Sequence, residues 1–274
     1  MRAAPPTNAE GDQNMTANTA SPAIDQARLR AIFESTVHAL KGVVREHRIT
    51  EDELHIAGDY LNRLGQSGMC RSLIDVALAM TSIDVHASGR PGTRANLTGP
   101  YHAAHPIKAD GKLLEKDVAP DAPRLQLSGV VRDAATGQPI AGAQVDLWSA
   151  DHLGIYDRQG THLRGIVLTD AQGRYAVETL LPSDYAEHDH DPVGELFRAM
   201  GRTNTRAAHV HARIGIDQKL CLTTQVFMSH SDTLKTDYVE GAVTEDLIAQ
   251  LERVDGAAAP TFAARFDFDV QRPV

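Results

Sequence analysis

Apolar positions change their spacing near residue 95, and the change divides the chain. From Ser21 to about Ala87 they recur at three- and four-residue steps, so Ile24, Leu29, Ile32, Phe33, Val37, Leu40 and Val44 fall on one stripe of a helix. Thr50-Glu-Asp-Glu53 has the form of a capping box and opens a second helix carrying Leu54, Ala57, Tyr60, Leu61 and Leu64. Gly65 and Gly68 break it, and a third apolar helix is expected from about Met69 to Val85. Three helices sharing one long exposed stripe predict a surface on which two subunits could pair.

Beyond Gly89 the period shortens. Leu125–Val131, Gln144–Trp148, Arg174–Glu178, His209–Ile216, Leu220–Phe227 and Thr261–Val270 are short β-rich runs. Asp133-Ala-Ala-Thr-Gly137, Asp170-Ala-Gln-Gly173 and Pro182-Ser-Asp184 punctuate them as turns. Short strands at this spacing predict a β-sandwich, interrupted by a helical insert over about Val193–Met200. The expected organisation is a tail over residues 1–21, a helical segment over 22–95 and a β-sandwich over 96–274. The fold class is therefore mainly β, with a helical segment in front.

The composition adds limits. The chain has 274 residues and a formal net charge of −9, from 27 basic and 36 acidic residues. That balance argues against nucleic acid as a partner, because phosphate binding needs basic patches. No apolar run approaches the ~20 residues of a membrane helix. Residues 1–21 lack the apolar core of a secretory signal and read as a floppy tail, with Met15 as an alternative start. Only Cys70 and Cys221 occur, without a Cys-x-x-Cys partner, so buried or half-buried thiols in a reducing cytoplasm are expected.

Candidate chemistry centres on His209 and His211 in Arg206-Ala-Ala-His-Val-His-Ala-Arg213. In a strand, residues i and i+2 share a face, so both imidazoles can address one point. The pair alone leaves zinc, copper and iron open. Tyr156 and Tyr185 lie upstream at loop-like positions, and two phenolates with two imidazoles would suit an oxidised iron better than the thiolate-rich sites zinc favours.

A long set of motifs then carries a resemblance. Leu61-x-x-Leu-Gly-Gln66, Thr98-Gly-Pro-Tyr101, Ser128-Gly-Val-Val-Arg-Asp133, Pro139–Trp148 and Leu163-Arg-Gly165 resemble signatures of the intradiol ring-cleavage dioxygenases, the catechol and hydroxyquinol 1,2-dioxygenase group. So do Thr169–Tyr175, Asp191-Pro-Val-Gly194, Arg206-x-x-His-Val-His211 and Leu222-Thr-Thr-Gln225. The resemblance runs from about Thr50 to Phe268. It implies Fe(III) held by Tyr156, Tyr185, His209 and His211. It also implies that Arg206 offsets charge on the bound ring, that Gln225 stands beside the iron, and that Tyr185 accepts a proton as a base. Leu73, Asp75, Leu97, Pro100 and Tyr101 fall where the family lines its substrate pocket. The implied reaction opens a catechol-type ring between its two hydroxylated carbons with O2, giving a muconate-type diacid. A homodimer through the N-terminal helices, with a phospholipid at its interface, is also implied. Asp191-Pro-Val-Gly194 places hydroxyquinol ahead of catechol as substrate.

Four features depart from the family's pattern. Ala207 replaces a proline, Ala212 replaces an aromatic residue, the linker Asp157–His162 is short, and 232–254 does not match. They bear on the substrate and leave every expected iron ligand in place. Two other readings stand beside this one. The runs Gly129–Asp133 and Pro139–Val145 also resemble transthyretin-like carrier sandwiches, and His-Val-His also suits a zinc or copper protein without oxygenase activity. Among the remaining candidates, His188-Asp-His-Asp191 reads as a solvated loop with Asp191 as a helix cap, His102 and His105 as exposed loop residues, and Trp148 as core.

Overall fold

The computed structural model describes residues 25–273. The expected tail over 1–21 and Val274 lie outside them. The chain separates into two compact units, Met1–Asp59 and Tyr60–Val274.

In the first unit, α1 (Gln26–His47) starts where the Asp25 carboxylate accepts the Arg28 amide at 3.0 Å. It ends on Arg48 in the left-handed region, φ 52°. Leu29, Ile32, Phe33, Leu40 and Val43 are exposed along it. The capping box at the start of α2 (Glu51–Gln66) forms as the sequence predicts. Glu53 Oε2 accepts the Thr50 amide at 2.7 Å, and the Glu53 amide donates back to Thr50 Oγ1 at 3.3 Å.

The second unit holds the end of α2 and all of the strands. The single helix expected from Met69 to Val85 is three consecutive pieces: α3 (Cys70–Ile74), a π-helical turn (Asp75–Ala79) and α4 (Met80–Ala87). Its inner face buries Val76 and Met80, and the Val76 carbonyl accepts the Glu240 amide at 3.2 Å. Cys70 is exposed, contrary to the expected buried thiol, because it opens α3 on the outer face.

The strands run β1 (Arg124–Asp133), β2 (Gln144–Ser149), β3 (Arg164–Leu168), β4 (Arg174–Leu180), β5 (Tyr185–Ala186) and β6 (Thr205–Arg206). They continue with β7 (His209–Ile216), β8 (Lys219–Met228), β9 (Ile248–Ala249), β10 (Leu251–Val254), β11 (Thr261–Arg265) and β12 (Phe268–Val270). The helix α5 (Pro192–Ala199) falls between β5 and β6. One sheet is centred on β1, which pairs antiparallel with β4 and parallel with β11 and β12. The second has the order β3-β2-β7-β8-β9. The expected run Thr261–Val270 splits into β11 and β12 because the Asp267 side chain, not the backbone, accepts the Val130 amide at 2.9 Å.

Alternation explains how the sheets meet. Leu125, Leu127 and Val131 of β1 join Val145 and Leu147 of β2 and Val210, Ala212 and Ile214 of β7 in one apolar core. Ala212 is fully buried in it. The opposite face of β7 is therefore free to carry His209 and His211.

Candidate metal centre

Sheet register assembles the site. His211 of β7 sits opposite Trp148 on β2 and Gln225 on β8. Cross-strand partners project to the same face, so all three converge. Trp148 stacks flat on His211, with ring centroids 4.7 Å apart and planes 1° from parallel. Gly99 approaches the same imidazole from the 93–101 loop. Its φ is +71°, and a Cβ there would lie 3.2 Å from His211 Cε1.

Tyr156 arrives on a loop as expected, whereas Tyr185 opens the short strand β5 and pairs with Arg206; both backbones are tied down. Asp151 Oδ1 accepts the amides of Leu153 and Ile155 at 2.8 and 2.9 Å, shaping the turn that presents Tyr156. Arg164, 2% exposed, donates to the carbonyl of Asp157 at 2.7 and 3.0 Å and to that of Tyr101 at 2.5 Å. One guanidinium thus ties the Tyr156 loop to the Tyr101 loop, and Tyr101 stacks on Tyr156 at 4.2 Å. Asp184 holds Tyr185 in place by accepting the Ala208 amide at 2.8 Å. Gly154, with φ +78°, leaves room for Tyr185, whose Cβ would lie 2.6 Å from a Cβ at that position.

Four donor atoms meet as a result. His209 Nε2 and His211 Nε2 are 3.0 Å apart, His211 Nε2 and Tyr156 Oη 3.0 Å, and the two tyrosine hydroxyls 3.4 Å. His209 Nδ1 donates to the Ala207 carbonyl at 2.6 Å, which turns the Nε2 lone pair toward the cluster. All four side chains are buried. Burial, with Arg206 adding to it, pushes both imidazoles well below their ordinary value and keeps them neutral, the form that binds metal. Burial likewise pushes both phenols up. Buried lone pairs of two neutral imidazoles and two phenols facing one another are a donor set that a cation would satisfy. Oxygen and imidazole donors without thiolate suit a hard, oxidised metal.

Arg206, 3% exposed, borders this cluster. Its Nε donates to Asp237 at 3.0 and 3.1 Å, and its Nη2 to Gln225 Oε1 at 2.7 Å. Gln225 Nε2 continues the chain to the Leu97 carbonyl at 3.0 Å. Burial works against the guanidinium charge, and the Asp237 carboxylate outweighs it. Asp237 comes from the segment that departs from the family's pattern. It also accepts the Ala207 amide at 2.8 Å, a donor that a proline there would lack.

The other candidates fall as follows. Leu97 is half-buried against the core, and Pro100 lies in an exposed turn beside Tyr101. Leu73 packs on the core from α3, and Asp75 pairs with Arg71 at 3.6 Å. Asp191 caps α5, accepting the Val193 amide at 2.8 Å, as expected. His102 and His105 are not exposed loop residues. The His105 side chain is 0% exposed, and both rings engage Asp146 beneath Trp148. These three could be taken for a second metal site. Arg213 Nη1 stands 3.0 Å from His102 and Arg164 Nη1 3.4 Å from His105, so guanidiniums already supply positive charge there. Sequence reasoning misses Asp237, Glu187 and Tyr238. Glu187 lies two residues after Tyr185, the spacing that singles out His209 and His211.

Comparison with known families decides the assignment. Residues 97–272 match the family described as Dioxygenase, and residues 26–81 match Catechol dioxygenase N terminus. This chain is an intradiol ring-cleavage dioxygenase. It is 32% identical over 235 residues to a chlorocatechol 1,2-dioxygenase of Pseudomonas sp. strain P51, covering 84% of this chain and 92% of that protein. It is 34% identical over 260 residues to a 6-chlorohydroxyquinol 1,2-dioxygenase of Cupriavidus pinatubonensis, covering 88% and 90%. The crystal structure of a chlorocatechol 1,2-dioxygenase from Pseudomonas putida superposes with a TM-score of 0.79 at 30% identity, covering 90% of this chain and 99% of that one. For this dioxygenase the carrier-sandwich reading and the non-oxygenase His-x-His reading both lapse. No helix among the described residues is long and apolar enough to cross a membrane.

Proposed function

We propose that this dioxygenase holds ferric iron at Tyr156, Tyr185, His209 and His211 and opens a catechol-type ring between its two hydroxylated carbons. The observation that carries the proposal is the convergence of these four buried donor atoms at 3.0–3.4 Å. When bound, Fe(III) supplies the Lewis acidity that ionises the phenols and binds the diol. The chain's own residues do the rest. Trp148 and the Ala207 carbonyl fix the two imidazoles. Tyr185 Oη takes up a proton from the incoming diol, serving as a base. Arg206, clamped by Asp237 and Gln225, presents fixed positive charge to the ring in a dry site, where such charge acts most strongly. Tyr101 and Leu97 wall the pocket, with Pro100 at its mouth and Leu73 and Asp75 on the helical side.

The exposed apolar residues of α1 support a homodimer through the N-terminal helices, with a phospholipid between them. Two unpaired cysteines suit the cytoplasm. The test of the activity is oxygen uptake by iron-loaded protein with catechol, chlorinated catechols and hydroxyquinol, with identification of the product. Equimolar oxygen consumption and a ring-opened dicarboxylate are expected. A product cleaved outside the diol, or no uptake with any diol, would overturn the reading.

A further inference from the structure

Alternation carries the acidic side chain of Glu187 to the same face as Tyr185. The β5–β6 ladder extends past its last paired residues, because the Glu187 amide donates to the Asn204 carbonyl at 3.0 Å. Residues 185 and 187 therefore project to one side, as 209 and 211 do in β7. The carboxylate is held at one oxygen only. Tyr238, 2% exposed, donates its hydroxyl to Oε2. Oε1 is buried and has no hydrogen-bond partner among the described residues. Burial first, and the Glu187 charge after it, push up the Tyr101, Tyr156 and Tyr185 hydroxyls, and the same charge favours the Arg206 cation. By alternation the carboxylate faces the same side of the β5–β6 ladder as Tyr185, one of the proposed iron ligands. Tyr101 lies beside the same carboxylate; its hydroxyl accepts Arg158 Nη2 at 3.2 Å and keeps its own proton.

A buried acceptor held rigidly by a neighbour and left without a donor is a demand that a ligand can meet. We infer that Glu187, anchored by Tyr238, selects the substrate: its free oxygen accepts a hydrogen bond from a ring substituent that carries a proton. The favoured ring has a third hydroxyl or an amino group besides the diol. A ring bearing a carboxylate meets like charge and is rejected. The inference rests on the diol-cleaving reading of the site and names the substrate class within it.

The test uses the full-length, iron-loaded chain and compares kcat/KM for 1,2,4-trihydroxybenzene, catechol and 3,4-dihydroxybenzoate. Each preference is a ratio of two substrates on one protein, so partial loss of folded protein cancels. Wild type is expected to favour the triol over catechol and to handle the carboxylated ring worst. In Glu187→Leu the triol-to-catechol ratio should fall on the order of 10- to 100-fold, the value of a hydrogen bond to a charged group, while the carboxylated ring gains on catechol. Glu187→Gln keeps the shape and an acceptor oxygen while removing the charge. It should retain most of the triol preference and still relieve the rejection of the carboxylate. Triol-to-catechol ratios unchanged in both variants, or a wild-type preference for the carboxylated ring, would overturn the inference. Absence of ring opening with all three diols would instead overturn the reading of the site itself.

Discussion

The Ala207 amide donates to Asp237 Oδ2 at 2.8 Å, so two departures from the family's sequence pattern meet in one hydrogen bond. Asp237 is also the counter-ion of Arg206, and both side chains are 3% exposed. Removing the carboxylate leaves a buried guanidinium uncompensated. Asp237→Asn is expected to cost about 3–5 kcal/mol of stability, read by urea unfolding, and to lower kcat with the charge no longer fixed beside the ring. A variant as stable as wild type would show that Arg206 does not depend on Asp237.

Ala207→Pro removes the amide donor and leaves Asp237 one hydrogen bond short. The expected cost is roughly 1–3 kcal/mol. In an Asp237→Ala background the same substitution should cost less, because no acceptor remains to be left unpaired. Equal costs in the two backgrounds would mean that the Ala207–Asp237 bond contributes nothing.

Gly99 and Gly137 form a matched pair. Their φ values are +71° and +70°, yet a Cβ at Gly99 meets His211 while at Gly137 nothing lies within 4 Å. Both alanine substitutions should cost about 1–2 kcal/mol from the left-handed backbone. Only Gly99→Ala should also lower iron content, measured by metal analysis of the purified protein. Equal iron in the two variants would show that His211 can move aside.

His162 gives a pH dependence. Its Nδ1 accepts the amides of Glu115 and Lys116, each at 3.0 Å, which requires a neutral ring. Burial, then the Lys116 charge, lowers it from the ordinary 6.5. The unfolded chain therefore takes up a proton at a pH where the folded chain does not. The contribution is fully present above 6.5 and is lost as pH falls toward the folded value. His162→Asn, which keeps an acceptor without the titration, should show a shallower loss of stability between about pH 7 and pH 5. Parallel curves would assign the acid sensitivity to other groups.

Much of this was legible from the sequence for a physical reason. Strand alternation is local, so His209 and His211 announce their shared face, and the capping box at Thr50 needs only four residues. The helix over Gln26–His47 reads correctly because helical periodicity persists over several turns, while Ile24 of its stripe lies outside the described residues. What escaped depends on long-range pairing. Asp237 reaches Arg206 across 31 residues, and nothing near it in sequence signals a counter-ion. His102 and His105 read as loop residues, and only the fold lays them against Asp146 and Trp148. Glu187 is a different case, since the alternation that marks the histidines also marks it beside Tyr185. The π-helical turn at Asp75–Ala79 interrupts an apolar run whose spacing alone reads as one helix.

The visible absorption spectrum of the purified, iron-loaded protein reads out whether two tyrosines ligate the iron. A wine-red protein is expected, with a broad visible band from charge transfer between tyrosinate and iron. That band should weaken and shift in both Tyr156→Phe and Tyr185→Phe. A colourless protein carrying a full complement of iron, or a spectrum unchanged by either substitution, would exclude tyrosinate ligation of the iron.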